Sequence, residues 1–133
     1  MIVSVADTHA LLWYLADDKR LSAKVRDHID DAGHKGNSVA VSSITLVEVI
    51  FLVERKRIEA NQYQLVLQAL TDTESVFVET PLTVKVAESL ATINAVEVPD
   101  MPDRIIAATA VYHQVPLISR DRKITLSSVE TLW

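Results

Sequence analysis

Residues 2–16 read IVSVADTHALLWYLA. The mostly apolar run Ile2–Ala6 predicts a short buried strand, and the residues after Asp7 predict a helix over Thr8–Ala16. A strand that is apolar on both sides needs cover on both sides, as happens in parallel sheets packed between helices. This stretch therefore favours an α/β fold.

The remainder of the chain repeats the same alternation. Further strands are predicted at Val39–Val41, Val76–Val78, Pro116–Ser119 and Val129–Leu132. Between them lie five more helical patterns, namely one capped by Ser22, one over Ile44–Arg57, one around Tyr63–Leu70, one around Val86–Ile93 and one over Asp103–His113. Such alternation requires crossover connections, so we expect a three-layer α/β/α sandwich with a short-stranded, mainly parallel sheet, formed by residues 1–133 as a single domain.

Composition narrows the class of protein. The chain of 133 residues is 49% hydrophobic and 23% charged, which is typical of a folded domain. It has no cysteine, which excludes disulfides and thiolate metal sites. No signal-like start or membrane-length apolar run is present, so we expect a cytoplasmic protein with no membrane contact. The net charge of −5 argues mildly against nucleic-acid binding.

Four carboxylates fall near the predicted carboxyl ends of strands, where α/β sheets bind ligands. Asp7 and Asp121 follow the first and fourth strands, Asp103 lies in the first turn of its helix, and Glu48 lies one turn into the helix after the second strand. Like charges gathered there would need a cation, and oxygen donors alone favour Mg²⁺ or Mn²⁺. Such an ion stabilises the attacking and leaving oxygens of a phosphodiester displacement.

Each acid also has a purely local interpretation. Glu48 is the only charged residue of ITLVEVIFLV at 44–53, and Thr45–Glu48 fits a capping box, although Ser43 is a competing N-cap. Asp7 could be a helix N-cap, Asp103 could interact with the helix dipole, and Asp121 could belong to a turn.

These motifs resemble the PIN-domain nucleases and, more narrowly, the VapC-type toxins of toxin–antitoxin pairs. The resemblance rests on VADT at 5–8, Glu48, DRIIAATA at 103–110 and LISRD at 117–121, and it spans essentially the whole chain. It implies a metal-dependent endoribonuclease that cleaves RNA, is neutralised by a small antitoxin protein and commonly forms a homodimer.

The resemblance also implies roles for individual residues. The quartet that would bind Mg²⁺ or Mn²⁺ and carry catalysis is Asp7, Glu48, Asp103 and Asp121. Supporting positions are matched by Thr8 and Ser119, with Asp100 as a secondary acid. Three basic residues flank the predicted site and would either pair with RNA phosphates or remain solvated surface, namely Arg104, Arg120 and Arg122.

The helix predicted over Ile44–Arg57 is apolar nearly all round, which indicates cover on two sides. One side would lie on the sheet, and the other would meet a second subunit or an antitoxin helix.

Two other classes share this fold type. A phosphotransfer receiver needs an acidic pair after the first strand, and a dehalogenase-like phosphatase needs D-x-D there, whereas Asp7 is followed by Thr8 and His9. A non-catalytic α/β interaction domain would keep the fold without needing four converging acids.

Overall fold

The computed structural model describes all residues, 1–133. Its centre is one five-stranded sheet in the order β3-β2-β1-β4-β5, and every neighbouring pair is parallel. The strands are β1 (Ile2–Ala6), β2 (Ser38–Ser42), β3 (Phe77–Thr80), β4 (Leu117–Ile118) and β5 (Thr131–Leu132).

Seven helices cover the sheet, namely α1 (Thr8–Leu15), α2 (Ala23–His34), α3 (Ser43–Glu54), α4 (Ala60–Thr71), α5 (Val84–Leu90), α6 (Met101–His113) and α7 (Arg122–Thr125). Two hydrophobic cores lie on opposite faces of the sheet, because successive strand side chains point to opposite sides. Val39 and Val41 of β2 belong to the core with α1 and α2, whereas Ala40 belongs to the core with α6. The expected α/β/α sandwich is confirmed. None of the helices has the length and apolarity that a membrane crossing requires.

The start of α3 differs from both local interpretations of the sequence. The N-cap is Ser42, whose Oγ accepts a hydrogen bond from the Ile44 N–H at 3.2 Å. Ser42 is also the last residue of β2, so one residue ends the strand and caps the helix. The expected capping box at Thr45–Glu48 and the expected cap at Ser43 are therefore wrong. The helix ends at Glu54 rather than Arg57, because Lys56 adopts a left-handed φ of 57°.

The strand order reverses at β1, which lies between β2 and β4. Ligand sites of open α/β sheets form at such a reversal, outside the carboxyl ends of the strands. The backbone N–H of Asp7, just after β1, donates to the Ile118 carbonyl at the end of β4 at 3.1 Å. The segments that follow β1 and β4 are thereby held side by side, and the acids that follow these two strands come together.

Candidate active site

A cleft of about 490 Å³ opens at this edge of the sheet. Its acidic residues, the acidic wall, are Asp7, Glu48, Asp100, Asp103 and Asp121. Its aromatic rings and the neighbouring arginine, the aromatic wall, are His9, Trp13, Arg120 and Trp133, and Thr8 and Ile106 complete the lining. The four acids that the sequence singles out, together with Asp100, thus lie in one cleft, and they come from four different helices or their N-caps.

Three aspartates of the acidic wall are helix N-caps. Each uses one carboxylate oxygen to accept a backbone N–H of the first turn, which satisfies a donor that the helix itself leaves unpaired. The second oxygen of each carboxylate takes no part in the cap, although the Ser119 hydroxyl also hydrogen-bonds the Asp7 carboxylate. The three bonds run from Ala10 N to Asp7 Oδ1 (2.8 Å), from Asp103 N to Asp100 Oδ2 (3.2 Å) and from Lys123 N to Asp121 Oδ1 (2.9 Å). The local cap role proposed for Asp7 is therefore correct, and it coexists with a place in the cleft.

Glu48 is held by a short chain of hydroxyl groups. The Thr8 hydroxyl donates to Glu48 Oε1 at 2.6 Å, and the Thr8 and Thr45 oxygens lie 3.0 Å apart. Because the single Thr8 proton goes to Glu48, the fully buried Thr45 hydroxyl must donate to Thr8. This chain turns Glu48 away from its own helix start and towards the cleft. The part played by Thr45 was not predicted from the sequence.

Ser119 lies behind Asp7 and Asp121. Its side chain is fully buried, and its Oγ accepts from the Asp121 N–H at 3.1 Å. A hydrogen bond from the same hydroxyl also lowers the pKa of Asp7, in opposition to burial. Ser119 therefore joins the loops that carry these two acids.

The acidic wall is electrostatically strained. Burial, followed by repulsion from Asp100, Asp121, Glu48 and Asp7, raises the pKa of Asp103 to about 7. Burial also raises the pKa of Asp7 and that of Glu48, although hydrogen bonds from the Ala10 N–H and the Thr8 hydroxyl respectively oppose the rise. A carboxylate cluster with raised pKa values binds protons more tightly than isolated acids do, and another cation at the same place would relieve the same repulsion.

The donor set fits a hard divalent cation. No three acidic or histidine side chains lie close enough together to form a preformed metal cage. Mg²⁺ does not need one, because it typically keeps several water ligands and contacts one or two carboxylates directly. Asp7, Glu48, Asp103 and Asp121 around a cleft of this size offer such contacts.

The aromatic wall was not predicted from the sequence. The Trp13 and Trp133 rings meet edge to face with centroids 5.9 Å apart, and the His9 ring lies 5.6 Å from Trp13. The Arg120 guanidinium carbon lies 4.4 Å from the Trp13 ring centroid. One signal was available for Trp133, because it directly follows the predicted fifth strand and so belongs to the same sheet edge as Asp121.

Arg104 and Arg122, both candidates for RNA contact, do not line the cleft. Arg104 Nη2 donates to the carbonyl oxygens of Leu90 and Ile93, each at 3.3 Å. Adjacent helical residues project about 100° apart, and here Asp103 lines the cleft while Arg104 turns to these carbonyls. Arg122 is the exposed first residue of α7. Only Arg120 of the three candidates lies where the sequence analysis expected it.

Comparisons with known proteins agree with this geometry. The profile of the PIN domain family matches residues 4–129. Ribonuclease VapC22 of Mycobacterium tuberculosis is 31% identical over 129 residues, which cover 93% of this chain and 91% of that protein.

Solved structures share the fold. The crystal structure of VapBC2 from Rickettsia felis bound to a DNA fragment from their promoter aligns with a TM-score of 0.71 at 14% identity, covering 99% of this chain and 98% of that one. A toxin–antitoxin complex from Klebsiella pneumoniae aligns with a TM-score of 0.61 at 25% identity, covering 98% and 96%.

Proposed function

Since this chain belongs to the PIN domain family, we propose that it is a metal-dependent endoribonuclease that hydrolyses RNA phosphodiester bonds. The observation that carries the proposal is the convergence on one cleft of carboxylates from four different helices or their N-caps. The similarity to Ribonuclease VapC22 supports the same reaction class.

In this proposal Asp7, Glu48, Asp103 and Asp121 hold Mg²⁺ or Mn²⁺, with Asp100 as a secondary acid. The ion, when bound, lowers the pKa of a bound water and stabilises the charge that develops on the phosphate oxygens. Glu48, oriented by Thr8, accepts a hydrogen bond from the attacking water and fixes its direction. Thr8 and Ser119 act as supporting residues because they hold Glu48, Asp7 and Asp121 in place.

RNA must approach a cleft that repels it. The five carboxylates of the acidic wall oppose a phosphate until a cation reduces their charge. Arg120 lines the same cleft and supplies a positive group for the substrate backbone. We therefore assign Arg120 the phosphate contact and give no such role to Arg104 or Arg122.

The partner in this proposal is a small antitoxin protein, so the chain would be the toxin of a VapBC-type pair. Toxin–antitoxin complexes among the solved structures of the same fold support this. The side of α3 that faces away from the sheet exposes apolar side chains, with Val47 43%, Ile50 37% and Phe51 50% exposed. Exposed apolar surface of this kind is typical of interfaces, which supports a homodimer or an antitoxin contact there.

The test is cleavage of single-stranded RNA in the presence of Mg²⁺ or Mn²⁺. We expect cleavage by the unmodified protein, none in EDTA, and a loss of roughly a hundredfold or more in Asp7→Asn. Asp27→Asn is the matched control, because Asp27 is an exposed aspartate of α2 outside the cleft and the variant should cleave normally. Full activity of Asp7→Asn, or cleavage that persists in EDTA, would refute the metal mechanism. An interaction domain would show no cleavage in any of these reactions.

A further inference from the structure

Arg120 is held in the cleft by aromatic rings rather than by acids. Five carboxylates line the same cleft, yet none of the three ion pairs in the structure includes Arg120. Its guanidinium carbon lies 4.4 Å from the Trp13 ring centroid and 6.0 Å from that of Trp133. A ring face attracts the charge of a guanidinium without accepting its N–H groups, so these donors remain available to an anion.

The rings form a fixed support. Trp13 belongs to α1, is only 8% exposed and packs in the hydrophobic core. Trp133 meets it edge to face at 73°, a favourable geometry for two aromatic rings. A long arginine side chain loses considerable freedom when it binds a ligand, and a support that restrains it beforehand reduces that loss.

A second arginine on the same ring has its N–H donors occupied by a carboxylate. The Arg20 guanidinium carbon lies 4.9 Å from the Trp13 centroid, but Arg20 also donates to both carboxylate oxygens of Asp18, from Nε at 3.1 Å and from Nη2 at 2.8 Å. The hydrogen bond from the Arg20 side chain is the main reason why the pKa of Asp18 falls to about 2. Arg20 does not line the cleft. The two arginines therefore share a ring, but only Arg120 lines the cleft, and it makes no ion pair, although its charge also acts on the nearby Asp18.

We propose that Trp13 and Trp133 are positioning residues that hold the Arg120 guanidinium ready for one backbone phosphate of single-stranded RNA beside the acidic wall. The identity of the substrate rests on the proposed function. A planar guanidinium binds a phosphate through two parallel N–H bonds, so its orientation matters as well as its charge. In a cleft that otherwise repels phosphate, one oriented cation fixes where the RNA backbone lies relative to the reacting bond.

The test is binding of a short fluorescein-labelled single-stranded RNA in Mg²⁺, measured by anisotropy on an Asp7→Asn background so that cleavage does not interfere. We expect Arg120→Gln to weaken binding about tenfold and Trp133→Leu about threefold. Because Trp133 acts through Arg120, the double variant should bind no more weakly than Arg120→Gln alone. Arg120→Lys should fall between the parent and Arg120→Gln. The control is Arg26→Gln, because the Arg26 guanidinium lies over the Tyr14 ring outside the cleft, and this variant should bind like the parent.

Tryptophan emission gives a second measurement that needs no RNA. Both tryptophans of the chain lie at this site, so Arg120→Gln should change the emission of the free protein. Unchanged emission, normal binding by Arg120→Gln, or additive losses of about thirtyfold in the double variant would each overturn the positioning role. If the unmodified protein fails to cleave any RNA, the proposed reaction is wrong, while emission and binding still decide the role of Arg120.

Discussion

The two walls of the cleft are stabilised in opposite ways. The aromatic wall is stabilised by contacts within the protein, because Trp13, Trp133 and Arg120 pack on one another. The acidic wall gathers five carboxylates whose mutual repulsion the protein does not cancel, and the pKa of Asp103 rises to about 7 as a result. The contacts of the aromatic wall form when the chain folds. The repulsion within the acidic wall is relieved only when protons or a metal ion bind. In the proposed function, the acidic wall carries the metal ion and the reaction, whereas the aromatic wall holds the substrate.

The largest expected effect is on the acidic wall. Asp103→Asn removes a carboxylate and its charge but keeps a similar shape, so we expect kcat for RNA cleavage to fall by roughly a thousandfold. KM should change far less, because Arg120 and its support are untouched. Steady-state kinetics on a single-stranded RNA would measure both. A variant that lost affinity but kept kcat would mean that the acidic wall binds substrate rather than performing the reaction.

Metal binding should stabilise the fold through the same wall. At a Mg²⁺ or Mn²⁺ concentration one hundred times Kd, the gain is about 2.7 kcal/mol, visible as a rise in Tm. The rise should be larger at pH 8 than at pH 5.5, since at the lower pH Asp103 is protonated and must lose its proton to bind the ion. Equal shifts at both pH values would show that Asp103 does not take part in binding. Asp103→Asn is the matched variant, in which the pH dependence of the shift should shrink.

Without metal, Asp103 should destabilise the fold as pH rises. Its pKa is about 7 in the folded protein against 3.8 as the ordinary value, so the folded state holds the proton more tightly. The free energy of unfolding should therefore fall between about pH 4 and pH 7 and then level off. Solvent screening at this half-exposed carboxyl limits the effect to about 1–2 kcal/mol. Urea unfolding in EDTA should show Asp103→Asn to be more stable than the parent at pH 8 and equal to it near pH 4.

The smallest effect concerns the hydroxyl chain behind Glu48. Thr8→Val removes the donor to Glu48 and leaves the Thr45 hydroxyl buried without its acceptor, which should cost about 1–2 kcal/mol of stability. The pKa of Glu48 should rise further, because the Thr8 hydroxyl is what lowers it. Thr8→Ser keeps the hydroxyl and is the control, expected to stay close to the parent in urea unfolding. Equal losses in both variants would point to packing of the Thr8 methyl group instead.

The fold was predictable because the central strands β1, β2 and β4 are largely buried and therefore mostly apolar. Boundaries were less predictable where one residue serves two elements. Ser42 ends β2 and caps α3, so neither the strand pattern nor the helix pattern alone locates the junction. The two-residue strand β4 carries too little pattern to show where its pairing stops.

The acids of the site were predictable because they follow strands or begin helices, and resemblance to known nucleases joined them into one set. The aromatic wall was not predictable, because Trp13 and Trp133 lie at opposite ends of the chain and come into contact only when the chain folds. Arg104 lies outside the cleft for a simpler reason. Closeness to Asp103 in sequence does not place two helical residues on the same side, and its guanidinium donates to the carbonyls of Leu90, at the end of α5, and Ile93.

Asp7, Asp100 and Asp121 each divide their two oxygens between a helix start and the cleft. Loss of any one of them to alanine would remove a charge and fray a helix in the same step, at a cost of about 1 kcal/mol for the cap alone. Asparagine and serine keep the cap and discard the charge. In a homologue that has lost catalysis, we accordingly expect asparagine or serine at positions 7, 100 and 121. Alanine should be rare there, because it also removes a helix cap and lowers the stability of the fold.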